Sequence, residues 1–172
     1  MVNWKSPRAR VSIRVNRTFP NQYDSPKRLS EGRSRNPALH ELSLVQGIIN
    51  AVGETASEKG GRVLSVKIGV GELAQFDIRL VRGLLNDLKK GTALEGARII
   101  VEPEESKVKC LTCGRILNFQ ELAGPISDDE REMMHFLPEL LNSCSKCPNC
   151  SKSYFEIEEG RSVRIIEVVL DA

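Results

Sequence analysis

Five cysteines lie between positions 110 and 150 of this 172-residue chain, and none lies elsewhere. The stretch opens on Cys110-Leu111-Thr112-Cys113 and closes on Cys144-Ser145-Lys146-Cys147-Pro148-Asn149-Cys150. Two Cys-x-x-Cys turns brought together present four thiolates at the corners of a tetrahedron, a set that closes around Zn2+ and leaves no position open for substrate. The turns are 33 residues apart if Cys147 and Cys150 form the second one, and 30 apart if Cys144 and Cys147 do. Either gap exceeds the roughly 15 to 20 residues of the common ribbon pattern, so an insertion separates the knuckles. Pro148 favours the first register, because proline in a Cys-Pro-x-Cys turn pre-sets the backbone, and Gly114 relieves the matching turn after Cys113. The expected ligands are therefore Cys110, Cys113, Cys147 and Cys150, with Cys144 spare; exchange of Cys144 for Cys150 stays open. Disulfides are the competing use, and the lack of a secretory h-region makes a reducing, cytoplasmic setting the expectation.

The remaining metal-binding chemistry is sparse. His40 and His135 are the only imidazoles. A closed tetrathiolate site offers no catalytic position, and two histidines leave no nucleophile and base pair, so the expectation is a protein that is not an enzyme. No window reaches the ~18 apolar residues of a membrane span. Charge is uneven: residues 1 to 38 carry nine Lys+Arg against two acids, while 39 to 172 carry sixteen against twenty-one. The first segment, with four prolines and little apolar pattern, has the composition of a disordered basic arm. An arm of that charge keeps a second class open, a zinc-ribbon nucleic-acid-binding or transcription-associated module. Against it stand the net acidity of the remainder and the scarcity of aromatic stacking platforms.

The elements that must position these groups begin at Leu39. Leu42, Val45, Ile48, Ile49, Val52 and Ala56 recur at helical spacing up to Gly60-Gly61, where a left-handed turn can end a helix. Val63 to Val70 is β-branched and reads as a strand. Asp77 is the expected N-cap of a second helix with the apolar face Ile78, Val81, Leu84, Leu85 and Leu88, stopped by Gly91. Arg98 to Val101 gives another strand, with Pro103 interrupting it. Within the insertion, Ser127 followed by three acids predicts a short helix. After Cys150, Tyr154 to Ile157 leads through a turn at Glu159-Gly160 into Val163 to Leu170, which has the composition of a core strand. The expected architecture is α/β: two helices on a small, about three-stranded mixed sheet, with an inserted zinc-ribbon-like module. The division reads as a basic arm at 1–38, an α/β domain from 39–106 and 159–172, and a zinc-binding domain at 107–158.

Several stretches together resemble the HypA/HybF hydrogenase maturation proteins. Leu39-His40-Glu41-Leu42-Ser43-Leu44 is similar to their Met-His-Glu-Leu-Ser-Leu opening, and Ile68-Gly69-Val70-Gly71-Glu72-Leu73 to their Ile-Gly-Glu-Leu strand end. Gly91-Thr92-Ala93-Leu94-Glu95-Gly96-Ala97 resembles Gly-Thr-x-x-Glu-Gly-Ala, and Phe155-Glu156-Ile157 through Gly160-Arg161 resembles Phe-x-Ile-x-x-Gly-Arg. Met134-His135-Phe136-Leu137-Pro138 is similar to a His-Phe-Ile-Pro segment of the archaeal branch. The resemblance covers residues 39 to 170.

The resemblance implies a nickel metallochaperone that passes Ni2+, with a HypB-type GTPase, to the large subunit of [NiFe]-hydrogenase, and in some members to urease maturation. It places nickel on the His40 imidazole and the amides of His40 and Glu41, with His135 as a further nitrogen; Ni2+ accepts such nitrogen ligands in a square-planar set. Glu41 contributes its amide or serves partner choice. Structural zinc and transported nickel are thus the two expected metals. The family opens at Met-His-Glu, where a terminal amine can ligate; here Leu39 stands in that place. Initiation at codon 39, read as methionine, would restore the amine and make the arm an annotation artefact.

Overall fold

The computed structural model describes residues 10–20, 37–74, 76–123 and 140–171. Their larger part is a four-stranded mixed sheet in the order β1 (Arg10–Pro20), β7 (Ser162–Asp171), β2 (Arg62–Gly71), β3 (Arg98–Glu104), with two helices packed on it. Helix α1 (Pro37–Lys59) turns Val45, Ile48 and Val52 completely inward and ends where the Gly60 amide bonds the Ala56 carbonyl in a left-handed turn. Strand β2 (Arg62–Gly71) pairs parallel with β3 (Arg98–Glu104). A parallel pair needs a crossover, and α2 (Ile78–Leu88) supplies it. Asp77 caps α2 as its sequence predicts, accepting from the amides of Arg79 at 2.7 Å and Leu80 at 3.3 Å. The last strand, β7 (Ser162–Asp171), returns from the zinc module and runs antiparallel to β2.

Three details depart from the sequence reading. Leu42 is 40% exposed, and Leu44 is buried in the core instead. Helical phase explains this: the face of Val45, Ile48 and Val52 extends back to position 41, so Glu41 rather than Leu42 continues it inward. Pro103 does not interrupt β3, which runs through it to Glu104 with Pro103 opposite Val70. A proline is tolerated there because β3 is an edge strand and nothing on its outer side needs the missing N–H. Finally, residues 10–20 of the supposed disordered arm form β1, antiparallel to β7 from Arg10↔Asp171 to Pro20↔Ser162. Alternation in Val11-Ser12-Ile13-Arg14-Val15, too weak to stand alone, suffices beside a long β-branched partner. The helix expected after Ser127, Trp4 and His135 all lie outside the described residues.

The smaller part is a three-stranded sheet in the order β5-β4-β6. It comprises β4 (Lys107–Cys110), β5 (Ile116–Leu117) and β6 (Phe155–Glu159), with the short helices α3 (Phe119–Ala123) and α4 (Leu141–Cys144). Its core gathers Val108, Leu117, Phe119, Leu122, Leu141 and Phe155 around buried Cys110 and Cys147. Leu73, just past the end of β2, joins this cluster rather than the large one. Beside it the chain crosses itself closely. A Cβ on Gly71 would lie 2.3 Å from the Gly160 carbonyl oxygen, and the Leu73 amide bonds that same oxygen at 2.8 Å. Only glycine lets these two backbones meet.

Candidate metal centre

The two Cys-x-x-Cys turns fold alike. In the first, the Gly114 amide donates to the Cys110 carbonyl at 2.8 Å and the Cys110 amide to the Arg115 carbonyl at 2.8 Å. In the second, the Ser151 amide donates to the Cys147 carbonyl at 2.8 Å and the Cys147 amide to the Lys152 carbonyl at 2.9 Å. Both turns end in a left-handed residue, Gly114 with φ 75° and Ser151 with φ 58°. The strand ends β4 and β6 thus deliver the sulfurs of Cys110, Cys113, Cys147 and Cys150 to one place, all within 4.8 Å of one another. Cys110 Sγ is 3.6 Å from Cys150 Sγ, and Cys113 Sγ 3.7 Å from Cys147 Sγ. Four sulfurs about 2.3 Å from a central zinc would be about 3.8 Å apart, so the set already has the size of a tetrahedral Zn2+ site. Cys144, partly buried beside the same core, is not in the group.

Electrostatics points the same way. The Arg115 amide, then the Asn149 side chain, hold the Cys113 thiol down at about 6. At Cys150 the Lys152 amide acts in the same sense, but burial and the sulfurs of Cys110, Cys113 and Cys147 outweigh it and push the thiol up to about 12. The Cys113 amide lowers Cys110. Thiolates crowded this closely cannot all form unless a cation shares the space. A divalent, sulfur-accepting ion removes the conflict.

His40 and Glu41 sit in the first turns of α1. Glu41 is 5% exposed, and its Oε2 has no hydrogen-bond partner. A buried carboxylate oxygen with no donor is costly unless a cation comes to it. The His40 side chain is half-exposed and accessible from outside. The structure therefore places an imidazole and an unsatisfied carboxylate on adjacent residues.

The sequence reading missed the contact between the two parts. Glu72 Oε2 accepts from the Ser106 hydroxyl at 3.2 Å and the Ser106 amide at 3.4 Å, and Oε1 accepts from Gln120 Nε2 at 3.1 Å. The buried Ser106 hydroxyl in turn accepts from the Phe119 amide at 3.0 Å. Glu72 thereby ties the end of β2 to α3 and to Ser106, the residue just before β4. The signal available was Gly71-Glu72-Leu73 at a strand end, a glycine, acid and apolar residue whose three roles need the second backbone to be seen.

Comparison with known proteins decides the family. The family model described as "Hydrogenase/urease nickel incorporation, metallochaperone, hypA" matches residues 39–170. The chain belongs to the HypA family. The hydrogenase maturation factor HypA of Pyrococcus horikoshii is 37% identical over 134 residues, covering 77% of this chain and 96% of that protein. The Pyrococcus furiosus protein of the same name is 34% identical over the same shares. The solution structure of the Ni metallochaperone HypA from Helicobacter pylori superposes with a TM-score of 0.51 at 18% identity, covering 77% of this chain and 97% of that one. A second HypA solution structure gives 0.53. The HypA fold is thus shared, and the family's nickel-incorporating role in hydrogenase maturation comes with membership. The match starts at Leu39, where the charge and apolar pattern change, so β1 lies outside it. Among the described residues no helix is long and apolar enough to cross a membrane.

Proposed function

We propose that this chain is a cytoplasmic nickel carrier that holds Zn2+ on Cys110, Cys113, Cys147 and Cys150 as scaffold and binds Ni2+ reversibly at His40 and Glu41. It delivers the nickel, with a HypB-type GTPase, to the [NiFe]-hydrogenase large subunit, and the same cargo would suit urease maturation. The observation that carries the nickel assignment is the buried, unpartnered Oε2 of Glu41, the residue that follows His40 in α1. A carboxylate in that state lowers the free energy of a bound cation, and the His40 imidazole supplies the nitrogen ligand type that Ni2+ favours, while the amides of His40 and Glu41 lie within α1 and join only when its first turn opens. His135 is the further nitrogen of this proposal, and it lies outside the described residues.

Carrying requires release. Nitrogen ligands that must lose protons to bind make nickel affinity fall as pH falls, whereas a closed tetrathiolate holds its metal more firmly. The Glu72 contacts give the two regions a shared element, since β2 belongs to the sheet behind α1 and Glu72 to the edge of the zinc module. Calorimetric titration of the zinc-loaded chain with Ni2+ tests the proposal. It predicts about one reversible nickel equivalent, weakened about tenfold or more in His40→Ala. Unchanged affinity in His40→Ala would overturn it.

A further inference from the structure

Among the described residues, those that make up the buried part of the large core come from positions 44 to 101 and 163 to 170, and β1 adds none. The described side chains of β1 are exposed or half-buried. Ile13, Val15 and Phe19 pack against the core from its rim, with the Phe19 ring so close to Gly47 that a Cβ there would lie 3.1 Å from it. Arg17 pairs with exposed Glu54, and the Ser12 hydroxyl donates to Glu167. The strand is also held by its backbone ladder, nine register pairs on β7 either side of a bulge between Arg14 and Arg17. A strand laid on the rim of a core that is complete without it has the form of β-augmentation, in which the ladder gives affinity and alternate side chains give specificity.

We infer that the outer edge of β7 is a strand-accepting site, and that residues 10–20 are its tethered occupant, replaceable by the same segment of a second copy of this chain. The second copy fits because its arm carries the identical pattern: apolar residues at 13, 15 and 19 toward the core rim, and Ser12 and Arg14 against Glu167. Sixteen residues separate β1 from α1, which at full extension reach at most about 55 Å. Tethering presents the arm to its own β7 at an effective concentration of about millimolar, so the internal strand prevails in dilute protein. Without it, a ten-residue, β-branched edge would stand open to mispairing. The arm is thus a built-in competitor for that edge.

The test uses a fluorescent peptide of residues 10–20 and two full-length, zinc-loaded chains, the natural one and Ile13→Asp/Phe19→Asp. Both substitutions lie outside the buried core, and zinc content with helical circular dichroism verifies the fold. Phe19→Ala alone, a milder change, gives a smaller effect in the same direction. The peptide is expected to bind the double variant about tenfold or more tightly than the natural chain. The same peptide carrying both aspartates should bind neither. Equal affinity for the two chains would show that the edge is not occupied internally, and no binding to the variant would show that it accepts no strand. Either result overturns the inference. For the second copy, chains carrying Ser12→Cys and Val169→Cys, opposite one another in register, are mixed and oxidised. A 12-to-169 disulfide between copies that rises with concentration is expected, and its absence at every concentration overturns exchange.

Discussion

Among the described residues, the sheet formed by β1, β7, β2 and β3 closes over 21 buried side chains, whereas the module of β5, β4 and β6 gathers nine, of which Cys110 and Cys147 are two. The first has enough apolar burial to order itself. The second spans about fifty residues, a size at which a hydrophobic core alone rarely suffices. What the module lacks in apolar area, the proposed metal on its four sulfurs would replace. The contrast extends to the proposed metal sites: the sulfur site sits where structure depends on it, and His40 sits at the start of a helix whose packing is already secured by Val45, Ile48 and Val52.

Removing zinc is the largest way to break the comparison. Chelation, or Cys147→Ser, should abolish amide-exchange protection in the strands of the zinc module while β2 and α1 stay protected, because structural zinc contributes on the order of 10 kcal/mol to such small units. The pH sign follows from the ligands. Thiolates that zinc keeps deprotonated contribute stability that is complete at neutral pH and lost as protons return on acidification. Melting of the module alone below neutrality, followed by circular dichroism and zinc release, is the expected result. Loss of both regions together would contradict the division.

Smaller changes sharpen it. Ile48→Ala, at a fully buried site in the large core, should cost about 2 to 5 kcal/mol in denaturant unfolding and leave zinc content unchanged. Glu41→Leu should raise the stability of nickel-free protein by about 1 to 4 kcal/mol in the same assay, since it replaces a buried, unpartnered carboxylate, while weakening nickel binding. Glu72→Ala should cost about 1 to 3 kcal/mol by leaving Ser106 without its acceptor, seen as faster amide exchange in both β4 and the end of β2. Ser151→Gly should gain about 1 kcal/mol of resistance to unfolding at the zinc knuckle, because a left-handed non-glycine residue is strained there and its counterpart is already Gly114.

Much of this was legible from residue order because local chemistry specifies it. Cysteine spacing picked out the four sulfurs that converge, and Pro148 separated them from Cys144 for a local reason, the shape of one turn. Asp77, Gly60 and Gly91 marked helix boundaries through capping and left-handed turns. What escaped depends on partners distant in sequence. β1 becomes a strand only because β7 lies beside it, Pro103 is harmless only because β3 is an edge, and Glu41 is buried only because helical phase carries it under α1. Glu72 likewise reads as a strand terminator until Ser106 and Gln120 are seen to converge on it from more than thirty residues away.

The central claim is that two metals are held by different chemistries for opposite ends. X-ray absorption at the zinc and nickel edges of the full chain, loaded with both metals, tests this most directly. The account predicts four sulfur neighbours around zinc at about 2.3 Å and only nitrogen and oxygen around nickel, with the nickel signal reduced in His40→Ala. Sulfur in the nickel shell, or nickel displacing zinc from the cysteines, would contradict it.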